Sequence, residues 1–131
     1  MEIILYVVDL KEKIEISYIN KKESYNKRFD KFINELCIRY LSTFNGRKEA
    51  FKKIFGYRYN VPIFVCDKIL FIKVNNIMWI NVYQVKEVFR KEKDIVLILS
   101  NNEIIFIKNG HNKITKKITE IKKVFSYIEK M

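Results

Sequence analysis

Glycine and proline are almost missing from this chain: its 131 residues hold three glycines, Gly46, Gly56 and Gly110, and one proline, Pro62. Glycines so far apart cannot form a loop that cradles phosphates through its backbone N–H groups. No Pro-, Gly- or Ser-rich stretch reads as a linker, and no internal repeat or low-complexity segment stands out, so residues 1–131 are expected to form a single domain. Histidine occurs once, as His111, inside the polar turn Asn109–Asn112, where a solvated loop residue is the simplest reading because a general base needs a positioned partner. The two cysteines, Cys37 and Cys66, are too few for a disulfide framework and have no Cys/His neighbours at metal-ligand spacing. They are expected to behave as small core hydrophobes in a reducing cytosol.

Long apolar runs are lacking as well. No stretch approaches the ~18 residues of a membrane span. The opening MEIILYVVDL is apolar but short, without a basic leader or a small-residue cleavage site, so it does not read as a signal peptide. Acidic residues are interspersed with lysines as on solvated faces, and no pair suggests acid/base or metal chemistry. The chain therefore reads as a cytoplasmic protein that is not an enzyme, with no metal, no cofactor and no membrane partner implied.

What the sequence does contain is apolar bulk and positive charge. A hydrophobic fraction of 49% and an aromatic fraction of 15% are those of a folded domain, and 131 residues suffice to bury a core without staples. The net charge is +11, a field that attracts phosphate-rich polymers or anionic surfaces. Heavy use of Ile, Lys and Asn also follows from an AT-rich genome, so the charge permits such a partner without requiring one.

Periodicity gives the elements. Glu2 to Leu10 reads as a strand, Lys11 to Lys13 as a polar turn, and Ile14, Ile16 and Tyr18 alternate with Lys13, Glu15 and Ser17 as in a strand with one wet face. Lys21 to Asn26 is polar, with Asn26 a candidate N-cap. Phe29, Phe32, Ile33, Leu36, Cys37, Tyr40 and Leu41 then mark a helix with one apolar stripe. Ser42 to Asn45 interrupts it, Ala50, Phe51, Ile54 and Phe55 mark a short second helix, and Gly56 suits the position after its end. Strands are expected at Val61–Cys66, Ile69–Val74, Ile77–Val82, Val85–Lys91, Ile95–Ser100 and Glu103–Lys108, joined by short Asn-, Lys- and Asp-rich links that favour an antiparallel meander. A helix over Asn112–Lys130 closes the chain, with Ile114, Ile118, Ile121, Val124, Phe125 and Ile128 on one face and lysines opposite. The class is α+β: a curved antiparallel sheet or partial barrel, two helices inserted after an N-terminal hairpin, and a closing C-terminal helix.

The segment from Gly46 to Tyr59 carries Arg47, Lys48, Lys52, Lys53 and Arg58 with Tyr57 and Tyr59, against the single acid Glu49. A guanidinium binds phosphate bidentately and enters the narrow, electronegative minor groove of A-tract DNA. The Ser42 and Thr43 hydroxyls and the backbone N–H groups of the restarted helix add candidate phosphate contacts. The bland alternative is that Arg47 ties a loop to a carboxylate or carbonyl and that the tyrosines are core. Lysines 113, 116, 117, 122 and 123 form a second basic surface, for which a solvated helix face is the ordinary explanation.

The order of residues from Leu36 to Pro62, LCIRYLSTFNGRKEAFKKIFGYRYNVP, also carries a resemblance. Cys37, Arg39, Tyr40, Ser42, Thr43, Phe44, Gly46, Arg47, Lys48, Gly56, Tyr57, Pro62 and Ile63 are similar to the heart of the ComK family, the competence transcription factors of low-GC Gram-positive bacteria. A looser match follows at Leu70, Phe71, Trp79 and Ile80. Two features of the family pattern are absent, a Phe-Pro-Thr segment and a longer Cys-bearing loop ahead of the Trp; Phe71-Ile72-Lys73-Val74-Asn75-Asn76 stands in their place. The resemblance implies a regulator of DNA uptake that recognises A/T-rich double-stranded DNA mainly through the minor groove, associated with the nucleoid. It further implies a homo-oligomer, a dimer or pair of dimers, with RNA polymerase and an adaptor-protease system as further partners. Taken with the basic segment, it makes Arg39, Ser42, Arg47, Lys48, Lys52, Lys53 and Arg58 the expected DNA-contacting positions, of which Arg39, Ser42, Arg47 and Lys48 are among those that match the family. Two other readings stand beside it: a pleckstrin-homology-like module for acidic lipid or protein, and a shortened family member that modulates a full-length activator.

Overall fold

The computed structural model describes residues 2–39, 62–110 and 112–129, without the side chains of 112 and 124–129. The expected second short helix and the basic segment after Arg39 lie outside the described residues. The architecture is α+β, built on two antiparallel sheets that do not close into a barrel. The larger has six strands in the order β3-β2-β1-β6-β5-β4, comprising β1 Ile4–Asp9, β2 Ile14–Tyr18, β3 Lys22–Tyr25, β4 Ile63–Cys66, β5 Ile69–Lys73 and β6 Met78–Asn81. The smaller is the meander β7 Val85–Lys91, β8 Asp94–Leu99 and β9 Ile104–Ile107. Helix α1 spans Phe29–Arg39 and helix α2 spans Asn112–Glu129.

The large sheet is covered on both faces, which explains why β1 and β5 read as nearly continuous apolar runs. On one face Ile4, Val7, Ile14 and Ile16 meet Phe29, Phe32, Ile33, Leu36 and Cys37, the α1 stripe at spacings of three and four. Asp30 in the first turn of α1 and Arg39 in its last both suit the helix dipole. The Phe29 ring stacks on Trp79 of β6, with centroids 4.9 Å apart and planes 16° from parallel, so the start of the helix is docked on the sheet centre. On the other face Leu70, Ile72, Ile80 and Val82 meet Val85, Ile95, Leu97, Leu99 and Ile107 of the small sheet, together with Ile118 and Ile121 of α2.

Three expectations need correction. The polar stretch after Lys21 is a third strand, β3, paired with β2 from Ser17↔Lys22 to Ile14↔Tyr25. Its Glu23 and Tyr25 face the α1 side through a side-chain hydrogen bond, Tyr25 OH to the Glu23 carboxylate, so polar residues here make strand contacts that hydropathy does not register. Asn26 does not cap α1: the helix begins at Phe29, and the Arg28 carbonyl accepts from the Phe32 N–H. Ser17, placed on a wet face by alternation, is buried, because the 101–103 turn closes over this end of the sheet: Asn101 Nδ2 donates to the Ile19 carbonyl at 3.2 Å and Lys22 pairs with Glu103 at 3.5 Å.

The tight links behave as polar turns should. Asn75 Oδ1 accepts from the Ile77 and Met78 N–H groups at 2.9 and 2.8 Å, closing the β5–β6 hairpin. Positive φ occurs at Lys11, Glu92, Asn102 and Asn109, all in or beside turns.

Asn81, at the end of β6, is fully buried and uses its whole amide. Its Nδ2 donates to the carbonyls of Ile4 (2.9 Å) and Lys68 (3.1 Å), and its Oδ1 accepts from the N–H groups of Leu70 (3.1 Å) and Tyr83 (3.3 Å). Four segments, β1, the β4–β5 turn, β5 and the 3-10 turn Val82–Gln84, thus meet at one side chain. Asn81→Ala leaves several buried backbone groups without partners and is expected to cost about 3 kcal/mol; a thermal melt should fall by roughly 10 °C.

Asp94 at the start of β8 accepts from the Asn109 backbone N–H at 3.1 Å and from Lys108 at 3.3 Å, and the Asn109 bond in particular holds its carboxyl below the usual range. A carboxyl depressed on folding stabilises the native state above the unfolded pKa, and that contribution is lost as pH falls through the folded value. Asp94→Asn is therefore expected to be less stable than the parent at neutral pH, with the difference closing on acidification below pH ~4, as denaturation series at several pH values would record.

Candidate nucleic-acid interface

The positive charge is unevenly spread. Residues 40–61 hold five Lys and Arg against one acid, and residues 111–131 hold six lysines against two acids, so these two stretches supply +8 of the +11. In the rest of the chain cations and acids nearly balance, and many are paired. Lys21 bonds Glu2 at 2.5 Å and Glu23 at 2.9 Å, Lys27 bonds Glu35 at 2.7 Å, and Arg28 sits 3.7 Å from Asp30. The Lys27 ammonium lowers the Glu35 carboxyl, and Tyr25 followed by Lys21 lowers that of Glu23. Exposed pairs of this kind add little stability. Residues 14–39, the β2–β3–α1 end, hold six cations against four acids, a smaller excess than either of the two basic stretches.

Of the residues singled out from sequence, Arg39 is within the described residues. It is the last residue of α1, exposed, and lines a cleft of about 400 Å³ together with Glu2, Tyr18, Tyr25, Lys27 and Glu35. Ser42, Arg47, Lys48, Lys52, Lys53 and Arg58 lie outside the described residues, as does Thr43. The fold fixes the two ends of their segment: the chain leaves the sheet-bound helix at Arg39 and returns at Ile63 on β4, an edge strand of the large sheet.

The second basic region is α2. Ile118 and Ile121 are buried and Ile114 is partly so, which turns Lys113, Lys116, Glu120 and Lys123 outward at spacings of three and four. The flanking lysines are drawn in: Lys122 Nζ donates to the Val85 carbonyl, and burial lowers the ammonium pKa of both Lys122 and Lys117, with Lys113 adding to the effect at Lys117. This helix face is basic, as expected, and its flanks also serve the fold.

Among the described residues no three His, Cys, Asp or Glu side chains gather as a metal site, and no described helix is long and apolar enough to cross a membrane. Cys37 and Cys66 are both buried thiols in the α1-side core, as their composition implied.

A family model described as ComK protein matches residues 3–130. The chain belongs to the ComK family. The match runs nearly end to end, well beyond the middle half in which the quoted motif residues fall, and so includes both basic stretches of this ComK-family chain. No curated protein matches it. Among solved structures, a LytTr DNA-binding domain from Bacillus cereus aligns with a TM-score of 0.47 at 10% identity, covering 88% of this chain and 80% of that one.

A surface feature not anticipated from sequence is the outward face of β7–β8–β9, where Phe89, Ile104 and Phe106 are exposed. The signal was available, since Glu87, Phe89 and Lys91 alternate with Val88 and Arg90. Period two alone does not say which set faces water.

Lys116 and Lys123 are exposed on the outward face of α2, and their removal tests this face. If α2 lies along a DNA backbone, Lys116→Ala with Lys123→Ala weakens binding to every duplex by the same factor and reduces the slope of log affinity against log salt by about 1.8. Anisotropy titrations at several salt concentrations measure both.

Proposed function

We propose that this ComK-family chain is a DNA-binding transcription regulator of the competence programme that recognises A/T-rich boxes, mainly through the minor groove. The observation that carries this reading is the family match over residues 3–130. The charge distribution supports it: most of the positive excess sits in the 40–61 segment and the C-terminal helix, separate from the paired charges that serve the fold. DNA is the partner, and the protein acts in the cytoplasm without a catalytic step.

In this reading Arg47 is the groove contact, or holds the loop that makes it, because a guanidinium suits a narrow and electronegative groove. Arg39, Lys48, Lys52, Lys53 and Arg58 neutralise phosphates, and the Ser42 hydroxyl adds a neutral phosphate contact. The exposure of Arg39 at the outlet of α1 supports its part. Homo-oligomers, RNA polymerase and an adaptor-protease system belong to the same proposal as partners.

The test is equilibrium binding to three duplexes of equal length: two spaced A/T boxes, the same boxes scrambled, and a GC-rich control, each at several salt concentrations. The parent should prefer the paired boxes at every salt concentration. Arg47→Ala should lose about 1–3 kcal/mol of that preference while folding normally. Equal binding to all three that vanishes with salt, or an Arg47→Ala variant with full affinity and preference, overturns the assignment.

A further inference from the structure

We propose that the cleft beneath the last turns of α1 is a binding site for a small amphipathic monocarboxylate, an apolar chain or ring that carries one carboxylate. Phe32, Glu35, Leu36 and Arg39 follow one another along α1 at spacings of three and four, so they form one wall of the cleft. The large sheet supplies the opposite wall through Ile4, Ile16 and Ile69, with Tyr18 and Tyr25 on the β2–β3 side. At about 400 Å³ the cleft falls within the range of pockets that take small molecules, roughly 300–1,000 Å³.

The α1-side core is not sealed at this end. Ile4, Phe32, Leu36 and Ile69, which line the cleft, keep exposures of 7%, 8%, 5% and 6%, whereas Val7, Ile14, Ile33 and Cys37 of the same core are at 0%. Apolar side chains thus meet water inside a concave space. An apolar body laid against them removes that contact, which favours binding in proportion to the area covered.

Charge decides what the apolar body must carry. Four charged residues line the cleft: Glu2, Lys27, Glu35 and Arg39. Glu2 is bonded by Lys21 at 2.5 Å, and Glu35 by Lys27 at 2.7 Å, so both acids and one of the two lining cations are already paired. Arg39 has no carboxylate within salt-bridge distance among the described residues, although its charge helps Lys27 to lower the Glu35 carboxyl. A guanidinium receives the two oxygens of a carboxylate in parallel. An apolar cation would find both acids taken, and a dianion such as a phosphate monoester would bring a second charge towards Glu2 and Glu35. One carboxylate on an apolar body matches the group that is left.

Arg39 is also a phosphate contact in the DNA-binding reading. The site is therefore tested on the protein without DNA, so that either reading can fail alone.

The test titrates the full chain with octanoate, octanol and acetate, followed by isothermal calorimetry and by amide shifts in labelled protein. Octanoate should saturate at one per chain and shift the amides of Ile16, Phe32, Leu36 and Ile69. Acetate lacks the apolar body and octanol the charge, so each should bind at least about tenfold more weakly. From hexanoate to octanoate the affinity should rise roughly threefold to fourfold per methylene. Arg39→Met keeps an apolar stem at an exposed position and should lose octanoate affinity at least about tenfold with an unchanged melt and unchanged octanol binding. Arg39→Lys should recover part of the loss, which a misfolded variant would not do. Lys93→Ala, an exposed cation in the β7–β8 turn, should bind octanoate as the parent does. Octanoate that fails to saturate, or that shifts only amides remote from the cleft, would reduce the effect to the attraction of a +11 protein for any anion and overturn the proposal. Equal binding of octanol and octanoate, or full octanoate affinity in Arg39→Met, would overturn it as well.

Discussion

The amide of Asn81 fixes the relation between the two ends of the described fold. A buried side chain with two donors and two acceptor positions must find partners for all of them, since each unmet group costs on the scale of the bond it lacks. Here the partners are a carbonyl on β1, a carbonyl before β5, an N–H within β5 and an N–H in the turn into β7. The N-terminal hairpin is thereby locked to strands more than sixty residues later, and the turn that carries the chain from the large sheet to the small one is held in the same place. Everything that presents charge depends on this frame. Helix α1 lies on one face of the sheet with Arg39 at its outlet, and α2 closes the other face with Lys113, Lys116 and Lys123 outward.

The second organising fact is the separation of two kinds of charge. Lys21, Lys22 and Lys27, in and beside β3 and ahead of α1, have carboxylate partners within salt-bridge distance and spend their charge locally. The 40–61 segment and the C-terminal helix carry an excess that local acids do not match. The small sheet offers a third kind of surface, neutral and aromatic.

Much of the fold was legible because its signals are strong and local. The α1 stripe, the strand runs from Ile69 to Ile107 and the polar links between them follow from period and turn chemistry, and β7 occupies the residues that alternation indicated. Strand β3 escaped because Lys22, Glu23, Ser24 and Tyr25 hold a strand through pairing and side-chain bonds rather than apolar alternation. The division into two sheets escaped as well: nothing local distinguishes the β6–β7 connection from a hairpin, whereas the Asn81 network bends it. The candidate site was legible in a different way. Arg47 and its neighbours stood out by charge against a single acid and by the order of residues around Gly46, while the aromatic face of the small sheet needed the three-dimensional register to bring Phe89 and Phe106 into one row.

Hydrogen–deuterium exchange on the free protein and on its complex with a duplex of two A/T boxes tests the central claim most directly. If the two basic regions form the DNA interface, protection should appear in peptides covering 39–61 and in α2, the places where backbone and side chains meet phosphates. Protection confined to other parts of the chain, with 39–61 and α2 unchanged, would contradict the account.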